Sequence, residues 1–143
     1  MDEFDNRQLN WQQVVDSYTE FLVEQADETI SRTRMRELQR VLKTNQLSNL
    51  LSVAMGTESV AAISNWIEYQ MGRRDMQRAW QDTGLGEDIL KRIRALKEEA
   101  QKAARRIYGQ EPTREQVGAI HVAMVRQYIG YLRRWFVARG GQG

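Results

Sequence analysis

The chain has 143 residues, of which 41% are hydrophobic and 28% are charged, so its length and composition predict one compact domain with an apolar core. It has no cysteine and a single histidine, which excludes a disulfide framework, a thiolate metal site and a histidine-rich metal site. No apolar run approaches the roughly 20 residues of a membrane span, and the acidic N-terminus lacks the apolar block of a secretory signal. We therefore expect a cytoplasmic protein with no membrane partner.

Apolar residues recur with a period near 3.6, whereas the alternation typical of strands is absent. The chain contains 10 glycines and one proline, Pro112, so there are few interruptions. These patterns predict an all-α protein, a single compact bundle of five to six helices spanning residues 1–143. The two ends, 1–9 and 140–143, are expected to be flexible.

The first predicted helix runs from Trp11, after the N-cap Asn10, to about Ser31. The second covers about Thr33–Lys43, and basic residues in and before it recur at steps of four, four and three. This spacing predicts that they share one helix face. These four candidate phosphate contacts are Arg32, Arg36, Arg40 and Lys43.

The third predicted helix starts at about Asn45 and stops at Gly56, since glycine tolerates the positive φ common just after a helix. Thr57 and Ser59 are candidate caps for the fourth helix, which we expect to continue to about residue 82.

Within the fourth helix, the stretch IEYQMGRRDMQRAW, residues 67–80, combines a weak point with three guanidinium groups. Gly72 interrupts a run of apolar positions that ends at Trp80, which we expect in the core. A glycine here permits the close approach of another helix of the bundle or of a nucleic-acid backbone. The arginines that follow are further candidate phosphate contacts: Arg73, Arg74 and Arg78.

The fifth predicted helix, about residues 87–108, has the most regular apolar stripe and closes at Gly109. A capping box of Thr113 and Gln116 then starts a long last helix, which ends at Gly140. Its basic residues include three more candidate contacts: Arg126, Arg133 and Arg134.

The net charge of +2 hides a segregation of charge along the chain. Residues 1–31 carry −7 and the remainder carries +9. This asymmetry predicts self-association in which the acidic first helix of one copy meets the basic surface of the next. The alternative is that both are ordinary solvated surfaces.

Catalytic chemistry has little support in the sequence. His121, the single histidine, lies within an amphipathic helix and is expected to be a half-buried structural residue. Neighbouring carboxylates such as Glu98 and Glu99 diverge on a helix rather than converge on a substrate. We expect no enzyme activity and no cofactor.

Three stretches resemble, in the same order, the small helical subunit of type III CRISPR effector complexes, the Csm-type more than the Cmr-type. They cover about a quarter of the chain. Where that family usually carries a basic residue shortly after a threonine, here Thr44, this chain has Gln46 and Ser48. Arg73 matches the family's Gly-Arg motif. The three stretches are KTNQLSNLLSVA (43–54), EYQMGRR (68–74) and VRQYIGYLRRWFVARGG (125–141).

The resemblance implies a non-catalytic subunit that stacks in several copies beside the other subunits of an RNA-guided complex. It would line the channel where target RNA pairs with guide RNA, and its partners would be those subunits, that duplex or single-stranded RNA. Contacts with the phosphate backbone would suffice, because base pairing already reads the sequence.

Two other classes of function are compatible with a basic helical bundle. One is a DNA-binding regulator in which the second and third helices form a helix-turn-helix, although helix three carries few side chains able to read bases. The other is a protein-only adaptor or dimerisation module whose basic faces contact acidic partners.

Overall fold

The computed structural model describes residues 3–141, with side chains from residue 10 onward. These residues form seven α-helices and one short π-helical segment, with no β-strand. The all-α class is confirmed, and the predicted number of helices is too low. Residues 1–2 and 142–143, parts of the ends expected to be flexible, lie outside the described residues. The helices are α1 Glu3–Asp16, α2 Thr19–Arg32, α3 Met35–Val41, α4 Thr44–Met55, α5 Val60–Gly72, α6 Leu85–Tyr108 and α7 Arg114–Ala138, and the π-helical segment is Arg78–Asp82.

The first predicted helix is two helices, α1 and α2, separated at Ser17 and Tyr18. Since α1 begins at Glu3, the predicted start after Asn10 is wrong. At the break, the Ser17 hydroxyl donates to the carbonyl of Val14, and Tyr18 has φ −93° and ψ 1°. A serine hydroxyl competes for backbone acceptors in this way. The apolar stripe continues across the two-residue break, so the 3.6-residue period does not reveal it.

The four basic residues between positions 32 and 43 do not share one helix face, so that prediction is wrong. Arg32 is the last residue of α2, and Thr33 is extended, with φ −79° and ψ 161°. The buried Thr33 hydroxyl donates to the carbonyl of Ile30 at 2.8 Å, which helps to end the helix. The other three lie beyond this break: Arg36 and Arg40 on α3, and Lys43 between α3 and α4.

The fourth predicted helix is also interrupted. α5 ends at Gly72, Arg73 is extended with φ −73° and ψ 131°, and the helix does not continue to residue 82 as predicted. The chain turns through residues 73–76 and becomes helical again at Gln77, which leads into the π-helical segment. Trp80 in this segment is fully buried, which confirms its prediction as a core residue.

The predicted helix caps are mostly confirmed. The Ser59 hydroxyl accepts from the first turn of α5, and Thr113 and Gln116 form the capping box of α7. Gly109 ends α6 with φ 105°. Gly56 ends α4 as expected, but its φ of −93° is negative, so the prediction that it uses a glycine-specific conformation is wrong.

The core is one cluster to which all seven helices contribute. α6 and α7 pack as a hairpin, and α2 runs antiparallel to α7 on one side, while α4 packs on α7 as well. Thr29 and Tyr128 join their hydroxyls at 2.6 Å between α2 and α7, and the Trp135 indole N–H donates to the carbonyl of Val23 at 3.1 Å. None of the described helices is long and apolar enough to cross a membrane.

A buried guanidinium joins α6 to α2. Arg92 donates through Nε to Asp88 at 2.7 Å and through Nη1 to Glu28 at 2.8 Å and Gln25 at 2.7 Å. Burial lowers the pKa of Arg92, but the hydrogen bonds to Asp88 and Glu28 outweigh this effect and raise its pKa above the ordinary value. Arg92 is therefore part of the bundle's framework, because a buried charge requires such partners.

Candidate nucleic-acid interface

The turn after α5 places Arg73 beside an exposed aromatic ring. Its Nη1 donates to Gln70 Oε1 at 3.2 Å and its Nη2 to Asp75 Oδ2 at 2.9 Å. The guanidinium carbon lies 5.5 Å from the centroid of the Tyr69 ring, and Tyr69 is 61% exposed. A cation over an aromatic face is favourable. These contacts hold Arg73 in a defined orientation at the surface.

Arg74 and Arg78 are exposed and have no hydrogen bond, ion pair or ring contact with any residue that the structure describes. The same holds for Arg32, Arg36 and Arg40. Lys43 is exposed as well, and Arg134 lies 5.8 Å from the centroid of the Tyr131 ring. Seven of the predicted contacts are therefore open to solvent, and a phosphate could reach them without breaking an ion pair within the described chain.

The guanidinium of Arg126 is hydrogen-bonded within the fold. Its Nε donates to the carbonyl of Ala54 at 2.8 Å, and its Nη2 donates to the carbonyl of Thr57 at 2.8 Å and to Glu58 at 3.0 Å. The last carbonyls of a helix lack partners within the helix, so this guanidinium completes the C-terminus of α4. Of the predicted contacts, Arg126 makes the most hydrogen bonds within the described part of the chain.

A cleft of about 240 Å³ lies between the start of α4 and the end of α5. The rings of Trp66 and Trp80 meet edge to face, with centroids 5.6 Å apart and an interplanar angle of 88°. Gln46 donates its amide to the thioether sulfur of Met76 at 2.7 Å, and the buried Nε1 of Trp80 has no partner among the described residues. The polar lining is completed by Asn49, Gln70 and Arg73.

The cleft and its surroundings bring together the three stretches on which the family resemblance rests. Gln46 and Asn49 belong to the first stretch, and Gln70 and Arg73 to the second. The third stretch reaches the same helix, because Arg133 of α7 donates through Nε to the Ser48 hydroxyl at 2.8 Å. Segments far apart in the sequence thus meet around α4, and Ser48 and Arg133 are 85 residues apart.

Gly72 faces open space. A Cβ added there would meet no atom within 4 Å, so packing inside the described chain does not require a glycine. Gly86 at the start of α6 is different, since a Cβ would lie 2.7 Å from Met71 Cγ and 2.8 Å from the carbonyl oxygen of Trp80. Of the two explanations for Gly72, close helix packing within the bundle is wrong, and the close approach of an outside partner stays a prediction.

His121 has a structural position. Its ring is buried more completely than expected, and Nε2 bonds the carbonyl oxygen of Ile93 on α6 at 2.8 Å. Burial lowers the pKa of His121, although this hydrogen bond opposes the effect. Among the side chains that the structure describes, no group of three or more His, Cys, Asp or Glu could hold a metal ion.

Sequence reasoning missed several cleft residues. Trp66 carries no charge and belongs to no recognised motif. Asn49 lies in the first stretch but was not singled out there, and Trp80 was expected only as a core residue. The helical positions of Trp66 and Asn49 partly indicate that they reach the surface, because a residue beside the apolar stripe of a helix is at least partly exposed. What joins them is the packing of α4 against α5, which no local pattern reports.

Comparison with known proteins identifies no relative: no protein-family model matches the chain, and no curated protein or solved structure matches it either.

Proposed function

We propose that this chain is the non-catalytic small subunit of a cytoplasmic type III CRISPR RNA-guided effector complex. In this role it stacks in several copies beside the other subunits and contacts the backbone of guide and target RNA through basic helix surfaces. The observation that carries the proposal is the convergence around α4 of the three stretches that resemble that family. One cleft is lined by two of them, and the third bonds the same helix.

Arg133 adds to this support. The family usually carries a basic residue soon after the threonine of the first stretch, whereas this chain has Gln46 and Ser48. The guanidinium of Arg133 lies against Ser48, so α7 supplies a positive charge to the surface of α4.

The alternative of a helix-turn-helix gains no support from the packing. The two helices of that motif pack against each other, with the second presented to the DNA groove. Here α3 packs on the π-helical segment, and α4 packs on α5 and α7. No specific contact favours the protein-only adaptor either.

The first test is a matched pair of arginine substitutions. Arg74→Ala removes an exposed cation beside the cleft, and Arg105→Ala removes an exposed cation on α6. Neither arginine has a partner among the side chains that the structure describes. Arg105 lies about 28 Å along the helix axis from Gly86, which packs against the π-helical segment. Arg74→Ala should weaken binding of single-stranded RNA and reduce the salt slope of log affinity by about 0.7–0.9, whereas Arg105→Ala should change neither.

Fluorescence anisotropy with labelled RNA, at several salt concentrations, measures both quantities. Neither variant should alter the melting temperature by much, because exposed arginines contribute little to stability. Equal effects of the two substitutions would indicate a diffuse charge effect and contradict the proposed surface. Absence of RNA binding at low salt would contradict the proposed function itself.

A further inference from the structure

We propose that the cleft between α4 and α5 binds a single unpaired nucleobase of the RNA strand. The inference rests on the proposed RNA-binding function and deepens it, since it adds a base-binding subsite to backbone contacts. The site is defined by Trp66, Trp80, Gln46, Asn49 and Arg73.

The size and walls of the cleft suit a flat heterocycle. Its volume is about 240 Å³. A cavity of about 150 Å³ holds a benzene ring, so a nucleobase has room here. The partly exposed indole ring of Trp66 lies on its wall and packs at right angles to the fully buried ring of Trp80. Base stacking on aromatic side chains is a common mode of single-strand binding.

Several hydrogen-bond donors in the cleft lack a strong acceptor. Trp80 Nε1 has no partner among the described residues, and the Gln46 amide donates to a thioether, which is a weak acceptor. Asn49 is exposed and has no partner in the described part of the chain. The amide oxygen of Gln70 already accepts from Arg73. The chemistry therefore favours a ligand that brings acceptors on a planar ring, such as the carbonyl oxygens of uracil.

The surroundings of the cleft favour a nucleotide over an isolated ring. Arg73 lines the cleft, and the next residue, Arg74, has no partner among the described residues. The phosphate of the bound nucleotide would therefore meet positive charge. Gly72 precedes them and leaves open space where a side chain would stand, which admits a backbone at close range. Tyr69, 61% exposed on the same turn of α5, offers a second aromatic face.

The experiment compares two oligoribonucleotides of equal length and charge with the wild-type protein. One carries uracil at every position and the other is an abasic ribose-phosphate chain. We expect the uracil oligomer to bind at least fivefold more tightly, since stacking of one base contributes this much or more. Equal affinities would overturn the inference while leaving the proposed function intact. Failure of both to bind would overturn both.

A matched pair of asparagine substitutions locates the effect. Asn49→Ala changes the cleft, whereas Asn45→Ala changes an exposed asparagine one turn earlier on α4 that does not line it. Asn49→Ala should reduce the preference for uracil over the abasic chain, and Asn45→Ala should preserve it. The inference fails if Asn49→Ala lowers both affinities equally or neither. Hexaglutamate is a competitor that tests whether the cleft binds an acidic peptide instead. The inference also fails if hexaglutamate displaces the uracil oligomer as well as it displaces the abasic chain, because this result would indicate an acidic-peptide site.

Discussion

At the scale of single residues, arginines of similar appearance in the sequence differ in their partners. Arg92 is buried between Asp88 and Glu28, Arg126 completes the C-terminus of α4, and Arg74 has no partner among the described residues. Only a cation of the last kind is open to a phosphate at no cost to the fold. The count of basic residues therefore overstates the surface that can bind nucleic acid.

His121 provides a pH-dependent contribution to stability. Because its pKa is lowered in the folded chain from the ordinary 6.5, the unfolded chain binds more protons as the pH falls through this value. The contribution is fully present above pH 6.5 and is lost as the pH falls toward the lowered pKa. Urea unfolding should therefore show a larger drop in stability from pH 7.5 to pH 5 for the wild type than for His121→Gln. As His121 is the single histidine, an identical drop in both proteins would contradict its role.

At the scale of helices, two glycines near the junction of α5 and α6 have different surroundings. Gly72 faces open space, whereas Gly86 is closely packed. Gly72→Ala should leave the free energy of unfolding unchanged or raise it by about 0.4–1 kcal/mol, because the added methyl meets open space in a helix. Gly86→Ala should lower it by about 1–3 kcal/mol, because the methyl collides with Met71 and the Trp80 carbonyl. Urea denaturation measures both.

The RNA affinity of Gly72→Ala then tests whether RNA occupies the open space at Gly72. If an RNA backbone approaches α5 at Gly72, the folded variant should bind RNA more weakly than the wild type. Unchanged affinity would mean that Gly72 serves only to end α5. A loss of stability in Gly72→Ala equal to that in Gly86→Ala would contradict the surroundings described for both glycines.

At the scale of the whole molecule, part of the charge segregation is neutralised within one chain. Asp27 pairs with Arg139, and Glu28 pairs with Arg92, so acids of the first segment meet basic residues of the remainder in the same copy. Glu20 and Glu24 are exposed on α2 and have no partner among the described residues. If charge drives self-association, these two carboxylates are the ones available to another copy.

Reversal of Glu20 and Glu24 to lysine should therefore shift sedimentation velocity profiles toward the monomer at low salt. Reversal of Glu98 and Glu111, which are also exposed and unpartnered in the described chain, changes the net charge equally and serves as the control. Equal effects of the two reversals, or none, would contradict association through the acidic segment.

The candidate site was only partly predictable. Arg73, Arg74 and Arg78 were singled out from their residue type beside a glycine. The structure places Arg73 and Arg74 in the turn after α5 and Arg78 at the start of the π-helical segment, and their contact with RNA stays a prediction. The hydrogen bonds of Arg126 at the C-terminal end of α4 were not predictable, because its partners lie 68 to 72 residues away in the sequence. The cleft was missed for the same reason, since Gln46 and Trp66 line one cleft only after α4 packs beside α5.

The sequence by itself determined the helical class, the inward residues such as Leu22, Ile93 and Met124, and the caps at Ser59 and Thr113. These features depend on side chains within a few turns of one helix, where the 3.6-residue period and the unpaired end groups act locally. Only the tertiary structure decided the breaks after α1 and α5, the partners of each arginine and the cleft at α4. Those depend on contacts between distant helices, because a guanidinium or an indole takes its role from whatever the packed chain places beside it.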